Sequence, residues 1–149
     1  DFAGDLLYRT LLRFGFARGV FEARPDDGLE LVGTAITNAV RCVPPENKPT
    51  PQEIKQCNHY LAAELQLFAE HGGSAVLALG AVAHQAVLMG LQLKMKDFPF
   101  AHGAVHHLPA GAGLRLYDSY HCSRYNTQTK RLTTAMFEQI FARIIADLK

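Results

Sequence analysis

The chain has 149 residues, of which 48% are hydrophobic and 19% are charged, a composition typical of one folded domain with its own core. Its formal net charge of +1 excludes bulk positive charge as a means of attracting nucleic acid, so such a partner would need a local basic patch. Three cysteines are an odd number for a secreted disulfide framework, and no apolar run reaches the length of a membrane span. We therefore expect a single domain over residues 1–149, in a cytoplasmic protein.

The first half of the chain combines helical periodicity with a strand-like run. Residues 4–17 carry Leu and Phe side chains at helical spacing, which predicts an amphipathic helix. Residues 28–40 are rich in β-branched residues and predict a buried strand. Thr50 then opens the sequence Thr-Pro-Gln-Glu, which has the form of a capping box, so we expect a helix from Pro51 to about His71.

The second half repeats the alternation of strand and helix. Short apolar runs at 74–80 and 114–120 predict buried strands, and a predicted helix runs from Gly80 through Leu88. Residues 136–148 predict an amphipathic closing helix. Strands with little polar alternation, separated by helices, are typical of a parallel sheet covered on both faces. The sequence therefore predicts an α/β fold with three αβα layers and a central, mostly parallel four-stranded sheet.

Polar residues lie where two of the predicted strands end. The first strand leads into Asn38, Arg41 and Cys42, and the last strand leads into His121. In an open α/β sheet, ligands bind at the carboxyl ends of strands. An amide that donates and accepts can recognise a flat heterocycle, and an imidazole can stabilise negative charge on a carbonyl oxygen. The alternative for Asn38 is a strand-end residue that satisfies loop backbone groups. The alternative for His121 is a buried, hydrogen-bonded histidine, but a histidine that begins a polar loop at the carboxyl edge of a sheet favours a functional role.

The segment after the last predicted strand, residues 119–131, has the sequence SYHCSRYNTQTKR. It follows a buried strand and precedes a helix, so it is predicted to be a connecting loop. Its arginine, lysine, serine and tyrosine side chains are of the types that contact a phosphate backbone. On the residues alone, a solvated basic loop is the simpler interpretation.

The cysteines and clustered histidines were considered as metal ligands. Fourteen residues separate Cys42 from Cys57, and on this spacing alone buried core thiols are the more common arrangement. Cys122 is predicted to be a small filler. The sequence HGAVHH suggests zinc, but His106 and His107 would point to opposite faces of a strand, so a shared metal is not expected.

Four segments of the chain are similar to a known enzyme family. AITNAVRCVPPENKPTPQEIKQC, VLALG, AHGAVHHL and SYHCSRYNTQTKRLTTAMF resemble the iron-sulfur uracil-DNA glycosylases, most closely family 5, with family 4 as neighbour. The most specific features are the strand-terminal Thr-Asn, the two cysteines and the His-Ser-Asn loop. This resemblance implies a DNA repair enzyme that flips uracil out of DNA and hydrolyses its N-glycosidic bond, with hypoxanthine as a further base.

The resemblance also implies roles for three catalytic residues. Asn38 would read the edge of the uracil, and His121 would donate a hydrogen bond to its O2 atom. Asp1 resembles the end of the Thr-Gly-Asp element of these enzymes. In the family, a water-positioning loop, a base-stacking aromatic residue and two further cysteines precede this aspartate. We therefore expect the chain to be the C-terminal portion of the family domain.

Further implied contacts concern the cofactor and DNA. A 4Fe-4S cluster would take Cys42 and Cys57 as two of its four ligands. Arg124 and Tyr125 would enter the minor groove beside the flipped nucleotide. Uracil-containing DNA, single- or double-stranded, is thus the implied partner of a monomeric protein. The other residues implied to contact DNA or substrate are Ser123, Asn126, Lys130, Arg131, Arg41 and His102.

Two alternatives come from other functional classes. The first is a non-catalytic nucleic-acid-binding domain that retains the glycosylase fold. The second is an α/β metal-dependent hydrolase that uses the histidines. An assay of uracil release distinguishes the first from an enzyme, and metal analysis tests the second.

Overall fold

The computed structural model describes residues 2–22, 28–37, 50–109 and 113–148. The chain divides into two compact units: a terminal unit of residues 1–36 and 120–149, and a sheet unit of residues 37–119. Along the described residues the elements are α1 (Phe2–Arg13), β1 (Ala17–Arg18), β2 (Glu30–Leu31), α2 (Pro51–Glu70), β3 (Ala75–Leu79), α3 (Ala81–Gly90), β4 (Val105–His107), β5 (Arg115–Ser119), α4 (Arg124–Gln128) and α5 (Thr134–Leu148). Within these ranges, every helix is too short or too polar to cross a lipid bilayer.

The described strands of the sheet unit form a mixed sheet in the order β3-β5-β4. The middle strand, β5, pairs in parallel with β3, so that Ala75 faces Arg115, and antiparallel with β4. Residues 116–119 of β5 are all buried, as expected for a strand with neighbours on both sides. The predicted strands 74–80 and 114–120 are therefore confirmed, with ends shifted by one residue.

The capping box predicted at Thr50 is present and begins α2. The Thr50 hydroxyl oxygen accepts a hydrogen bond from the Glu53 N–H at 3.1 Å, and the Glu53 carboxylate accepts one from the Thr50 N–H at 3.3 Å. These two bonds satisfy backbone donors that have no partner inside the helix. The helix ends at Glu70, with His71 as its C-cap, as the sequence predicts.

Helices α2 and α3 pack together in the core of the sheet unit. Gly90 lies against Ala62, so that a β-carbon at position 90 would be 3.4 Å from the Ala62 α-carbon. The buried side chain of Asn58 donates to the Ala86 carbonyl at 2.8 Å and links the two helices. Burial of apolar side chains supplies the main stabilisation of such a core; its buried members are Leu61, Leu65, Ala78, Ala86, Val87, Leu88, Leu108, Leu114 and Leu116.

Gly80 joins β3 to α3 in a conformation that favours glycine. Its φ of 102° lies in a region that L side chains rarely adopt. Its N–H donates to the Ser119 carbonyl at 2.8 Å, at the end of the neighbouring strand β5. The prediction that Gly80 opens a helix is confirmed, since α3 begins at the next residue.

The terminal unit is built on α1, α5 and the short antiparallel pair β1-β2. Aromatic rings join its elements: Phe14 stacks on Phe141 at 5.9 Å, and Phe137 lies 5.1 Å from Phe141. Arg13 of α1 forms an ion pair with Glu138 of α5 at 3.3 Å. The predicted amphipathic helices at both ends of the chain are therefore confirmed, and their apolar faces meet in this unit.

The α/β class is confirmed, but the prediction of a buried strand over 28–40 is wrong for its described part. Only Glu30–Leu31 is a strand there, and it pairs with β1 of the terminal unit. Gly33 has a φ of 58°, which interrupts an extended conformation. Val32 and Ile36 are 40% and 44% exposed, so their β-branched side chains are not part of a core. The described sheet has three strands, one of them antiparallel, where four mostly parallel strands were predicted.

Candidate functional site

The predicted catalytic histidine follows the middle strand of the sheet. β5 ends at Ser119, and His121 lies two residues further along the chain. The His121 side chain is accessible to solvent, while the protein around it lowers its pKa because the charged form is less well hydrated there. The imidazole is therefore neutral at neutral pH and can reach a ligand.

A short helix, α4, begins three residues after His121, where the sequence predicted an open loop. The Ser123 hydroxyl oxygen caps it by accepting a hydrogen bond from the Asn126 N–H at 3.2 Å. The Asn126 side-chain amide in turn donates to the His121 carbonyl at 2.9 Å. These two contacts tie the backbone of His121 to α4. The serine was a usable signal, since it is a preferred N-cap residue, but five residues are too few for helical periodicity to be detected.

Replacing Ser123 with alanine is expected to destabilise the protein by about 0.5–2 kcal/mol, because α4 loses its side-chain cap. The measurement is the free energy of unfolding in urea. Ser123→Asn retains a side-chain acceptor and should have a stability close to that of the unchanged protein. Equal losses in both variants would contradict a capping role for Ser123.

Arg124 and Tyr125 lie on the exposed surface of α4. The Tyr125 side chain is 72% exposed, an unusual position for a large aromatic ring, and Arg124 is also exposed. Arg131 lies after the helix, with its guanidinium carbon 4.6 Å from the centre of the Tyr120 ring. This cation–π contact places a positive charge beside the residue that precedes His121.

Lys130 follows Thr129, the C-cap of α4, and adopts a left-handed conformation. Its φ is 62°, and its N–H donates to the Thr127 carbonyl at 3.3 Å. A residue in this conformation commonly terminates a helix. The Leu132 N–H then donates to the Asn126 carbonyl at 2.9 Å, and the Leu132 side chain is buried. Backbone hydrogen bonds therefore join Lys130 and Leu132 to residues of α4, while the Lys130 side chain is exposed.

Cys122 lies beside His121 but has a different environment. Its side chain is buried, and burial raises the pKa of the thiol. The prediction that Cys122 is a filler side chain is confirmed.

Sequence analysis missed a buried polar group in the sheet unit. Asp118 of β5 is fully buried, and its two carboxylate oxygens lie 2.7 Å from His84 Nδ1 and 2.8 Å from His106 Nε2. His84 is fully buried, and its Nε2 lies 2.6 Å from the Phe98 carbonyl oxygen. The available signal was Asp118 itself, a carboxylate within a predicted buried strand, which requires a partner when buried.

His102 precedes the antiparallel strand β4. It is half-buried, and desolvation lowers its pKa. His106 and His107 point to opposite faces of β4: the first contacts Asp118, and the second is exposed. The prediction that these two histidines point to opposite faces of the strand is therefore confirmed.

Several predicted site residues are not described by the structure. Cys57 belongs to α2, but the position of its side chain is not described. The predicted roles of this group of residues therefore remain predictions. Those outside the described ranges are Asp1, Asn38, Arg41 and Cys42.

Comparison with known proteins gives related sequences along the whole chain. The family model of the uracil DNA glycosylase superfamily matches residues 1–149. A type-5 uracil-DNA glycosylase of Thermus thermophilus is 43% identical over 140 residues, which are 94% of this chain and 62% of the relative. One of Pyrobaculum aerophilum is 37% identical over 147 residues, which are 99% of this chain and 62% of the relative.

Type-4 proteins are more distant relatives. A type-4 uracil-DNA glycosylase of Archaeoglobus fulgidus is 28% identical over 96 residues, which are 63% of this chain and 47% of the relative. The chain spans about 62% of the length of the two type-5 relatives described above. Because the family model extends over every residue, from the first helix through the histidine loop to α5, the chain belongs to the uracil DNA glycosylase superfamily.

Proposed function

We propose that this chain forms part of an enzyme that flips uracil out of DNA and hydrolyses its N-glycosidic bond. The observation that carries this proposal is the accessible, neutral His121, tied by its backbone to a capped helix that exposes Arg124 and Tyr125. Its membership in the superfamily and its 37–43% identity to proteins called type-5 uracil-DNA glycosylases support the same conclusion. The enzymatic activity is a proposal because the chain spans only 62% of those relatives.

The proposed reaction separates charge as the glycosidic bond breaks. Two side chains are suited to stabilise the negative charge that develops on the base. When the glycosidic bond breaks, its electron pair passes to N1 of uracil, and the negative charge spreads to the carbonyl oxygens of the base. His121 is proposed to donate to O2, and the Asn38 amide to hydrogen-bond the edge of the ring. Water then adds to C1′ of the oxocarbenium-like sugar, and the proton that it loses to solvent is balanced by protonation of the released uracil anion. Asp1 is proposed to belong to the same catalytic group.

The exposed loop is proposed to hold the DNA. Extruding a nucleotide leaves a gap in the stack, and an exposed ring such as Tyr125, with Arg124 beside it, is suited to occupy it. Positive side chains bind the phosphate backbone without reading its sequence. The other residues proposed to contact DNA or substrate are Ser123, Asn126, Lys130, Arg131, Arg41 and His102.

An iron-sulfur cluster is proposed to use Cys42 and Cys57. Ligation of a 4Fe-4S cluster requires four thiolates, and this chain contains three cysteines. The resemblance to the family gives Cys122 no ligand position. This chain therefore supplies at most two of the four thiolate ligands. When bound, the cluster would act as a structural cross-link through these two residues.

The remaining proposals concern the protein as a whole. We propose that both units belong to one family domain, since the family model extends across residues 1–149. We also propose that the protein is a monomer that acts on DNA in the cytoplasm of a bacterium or archaeon, and its relatives come from such organisms. Gel filtration and light scattering would test the monomer.

An assay of uracil release tests the proposed function. The full-length protein is incubated with single- and double-stranded DNA that contains one uracil, and abasic sites are then cleaved and quantified. Release of uracil is the expected result. Binding of the same DNA without release would instead support the non-catalytic nucleic-acid-binding domain. Absence of both would refute the proposal.

Replacing Tyr125 with alanine is expected to lower activity on duplex DNA much more than on single strands, because a single strand has little stacking to replace.

Removing the Lys130 charge should weaken the binding of both substrates to a similar extent and reduce the salt slope of binding by about one. Lys130→Gln is suitable because it removes the charge and keeps a flexible polar side chain at this left-handed position. The measurements are kinetics and Kd on matched substrates at two salt concentrations.

Lys96→Gln is the matched control for the charge, since Lys96 is an exposed lysine of the sheet unit. It should leave binding and its salt dependence unchanged. Equally small effects of Tyr125→Ala and Lys130→Gln on both substrates would identify the loop as a solvated turn with no role in DNA binding.

A further inference from the structure

Asp118 is the centre of a closed hydrogen-bonded group in the sheet unit. Its carboxylate is fully buried, and each oxygen has one imidazole partner, His84 at 2.7 Å and His106 at 2.8 Å. A buried carboxylate is costly unless it is paired in this way. Histidine and aspartate also bind zinc, but ligand atoms on one tetrahedral zinc are about 3.3 Å apart for bonds of about 2.0 Å. The shorter distances here fit direct hydrogen bonds.

His84 connects this group to the segment that follows α3. Its second ring nitrogen, Nε2, lies 2.6 Å from the Phe98 carbonyl oxygen. Each ring nitrogen of His84 thus lies within hydrogen-bond distance of an oxygen atom. The Phe98 ring packs edge-on against His106, with 5.9 Å between the ring centres. The Phe100 ring packs edge-on against His84, with 5.5 Å between the ring centres. The first part of the segment is thus held by polar and aromatic contacts.

The backbone of Asp118 holds the second part of the same segment. Its carbonyl accepts from the Gly103 N–H at 2.9 Å, and its N–H donates to the Ala104 carbonyl at 3.0 Å. Residues 98–106 are therefore anchored at Phe98, at Gly103–Ala104 and at His106. His102, whose pKa is lowered by desolvation, lies between the first two anchors.

We infer that His84, Asp118 and His106 form a positioning group that holds residues 98–106 in one conformation and thereby places His102 for substrate contact. This inference rests on the proposed function, in which His102 contacts the substrate. The three side chains act through the segment and touch no reacting atom. His84 of α3 and His106 of β4 converge on the single carboxylate of Asp118 in β5, so three elements contribute to the group.

The test compares three single variants. His106→Phe keeps a flat ring but removes the donor to Asp118, and His106→Gln keeps an amide N–H that can donate to the same oxygen. His106 is suitable because its side chain is 12% exposed, so a substitution there is less disruptive than at the fully buried His84. Asn58→Ala is the matched control: it removes a buried hydrogen bond between α2 and α3, away from residues 98–106. If His106→Phe does not fold, His106→Leu replaces it.

The first readout does not depend on activity. The titration of the His102 ring is followed by NMR, and in the unchanged protein its midpoint should lie below the ordinary value of 6.5, since desolvation lowers it. In His106→Phe the midpoint should rise toward that value, because a loosened segment lets water reach the ring. His106→Gln should restore the low midpoint. Asn58→Ala should leave it unchanged despite a loss of thermal stability.

The second readout is kcat/KM for uracil release. A misplaced side chain can reduce catalysis strongly without touching the reacting atoms, so His106→Phe is expected to lower kcat/KM by about tenfold or more, with recovery in His106→Gln. Absence of uracil release by the unchanged protein would refute the proposed function, and the His102 midpoint would still test the positioning. An unchanged His102 midpoint in a folded His106→Phe protein would overturn the inference. One zinc ion per chain, lost on this substitution, would also overturn it in favour of a metal site.

Discussion

Replacing His121 with alanine is expected to lower the rate of uracil release by about a hundredfold or more, with little change in DNA affinity. The proposed hydrogen bond from His121 strengthens as charge develops on the base, so its loss affects the transition state more than the bound substrate. The fold should tolerate the change, because the side chain is accessible and the contact with Asn126 uses only the His121 carbonyl. Single-turnover rates and Kd on uracil-containing DNA measure the two effects separately.

His107→Ala is the matched control for this substitution. His107 is an exposed histidine of β4 that points away from Asp118, and its replacement should change neither rate nor affinity. If His121→Ala instead weakened DNA binding and left the single-turnover rate unchanged, His121 would be a binding residue, and the proposed stabilisation of the uracil anion would be wrong.

Replacing Phe137 with alanine is expected to lower the free energy of unfolding by about 3–5 kcal/mol, the usual cost of emptying a buried phenylalanine site. Phe137 is fully buried in α5, and its ring lies 5.1 Å from that of Phe141. Phe141 also contacts Phe14, so the cavity would open within the aromatic contacts between α1 and α5. Urea unfolding monitored by circular dichroism measures the loss.

Gln139→Ala provides the control within the same helix. Gln139 is exposed, and surface substitutions of this kind usually change stability by less than about 0.5 kcal/mol. A loss below about 1 kcal/mol for Phe137→Ala would contradict a well-packed core in the terminal unit, since it would mean that the surrounding side chains close the cavity.

The elements that the sequence predicted correctly are those with local signals. The capping box at Thr50 needs only four neighbouring residues, and both of its hydrogen bonds are present. Gly80 marks the end of β3 because its backbone conformation excludes most other residues. The apolar face of α5 follows from periodicity over four turns, which is long enough to be unambiguous.

Two local predictions failed for physical reasons. The segment 28–40 has the β-branched composition of a buried strand, yet in its described part Val32 and Ile36 are exposed. β-propensity reflects the surface on which a strand packs, so composition alone does not decide whether a strand forms. Helix α4 was missed because it is one turn and a half long, and its stability comes from the Ser123 cap and the bond to His121.

The sequence by itself determined the α/β class, most helix boundaries, the resemblance to uracil-DNA glycosylases and the position of His121 just after a buried strand. These properties depend on residue type and on spacing along the chain. Only the tertiary structure decided that His84, His106 and Asp118 meet, because they are far apart in sequence and belong to three elements. It also decided that Tyr125 is exposed while Cys122 is buried, three residues apart in one loop. Solvent exposure depends on how the chain packs around a residue, and no local pattern contains that information.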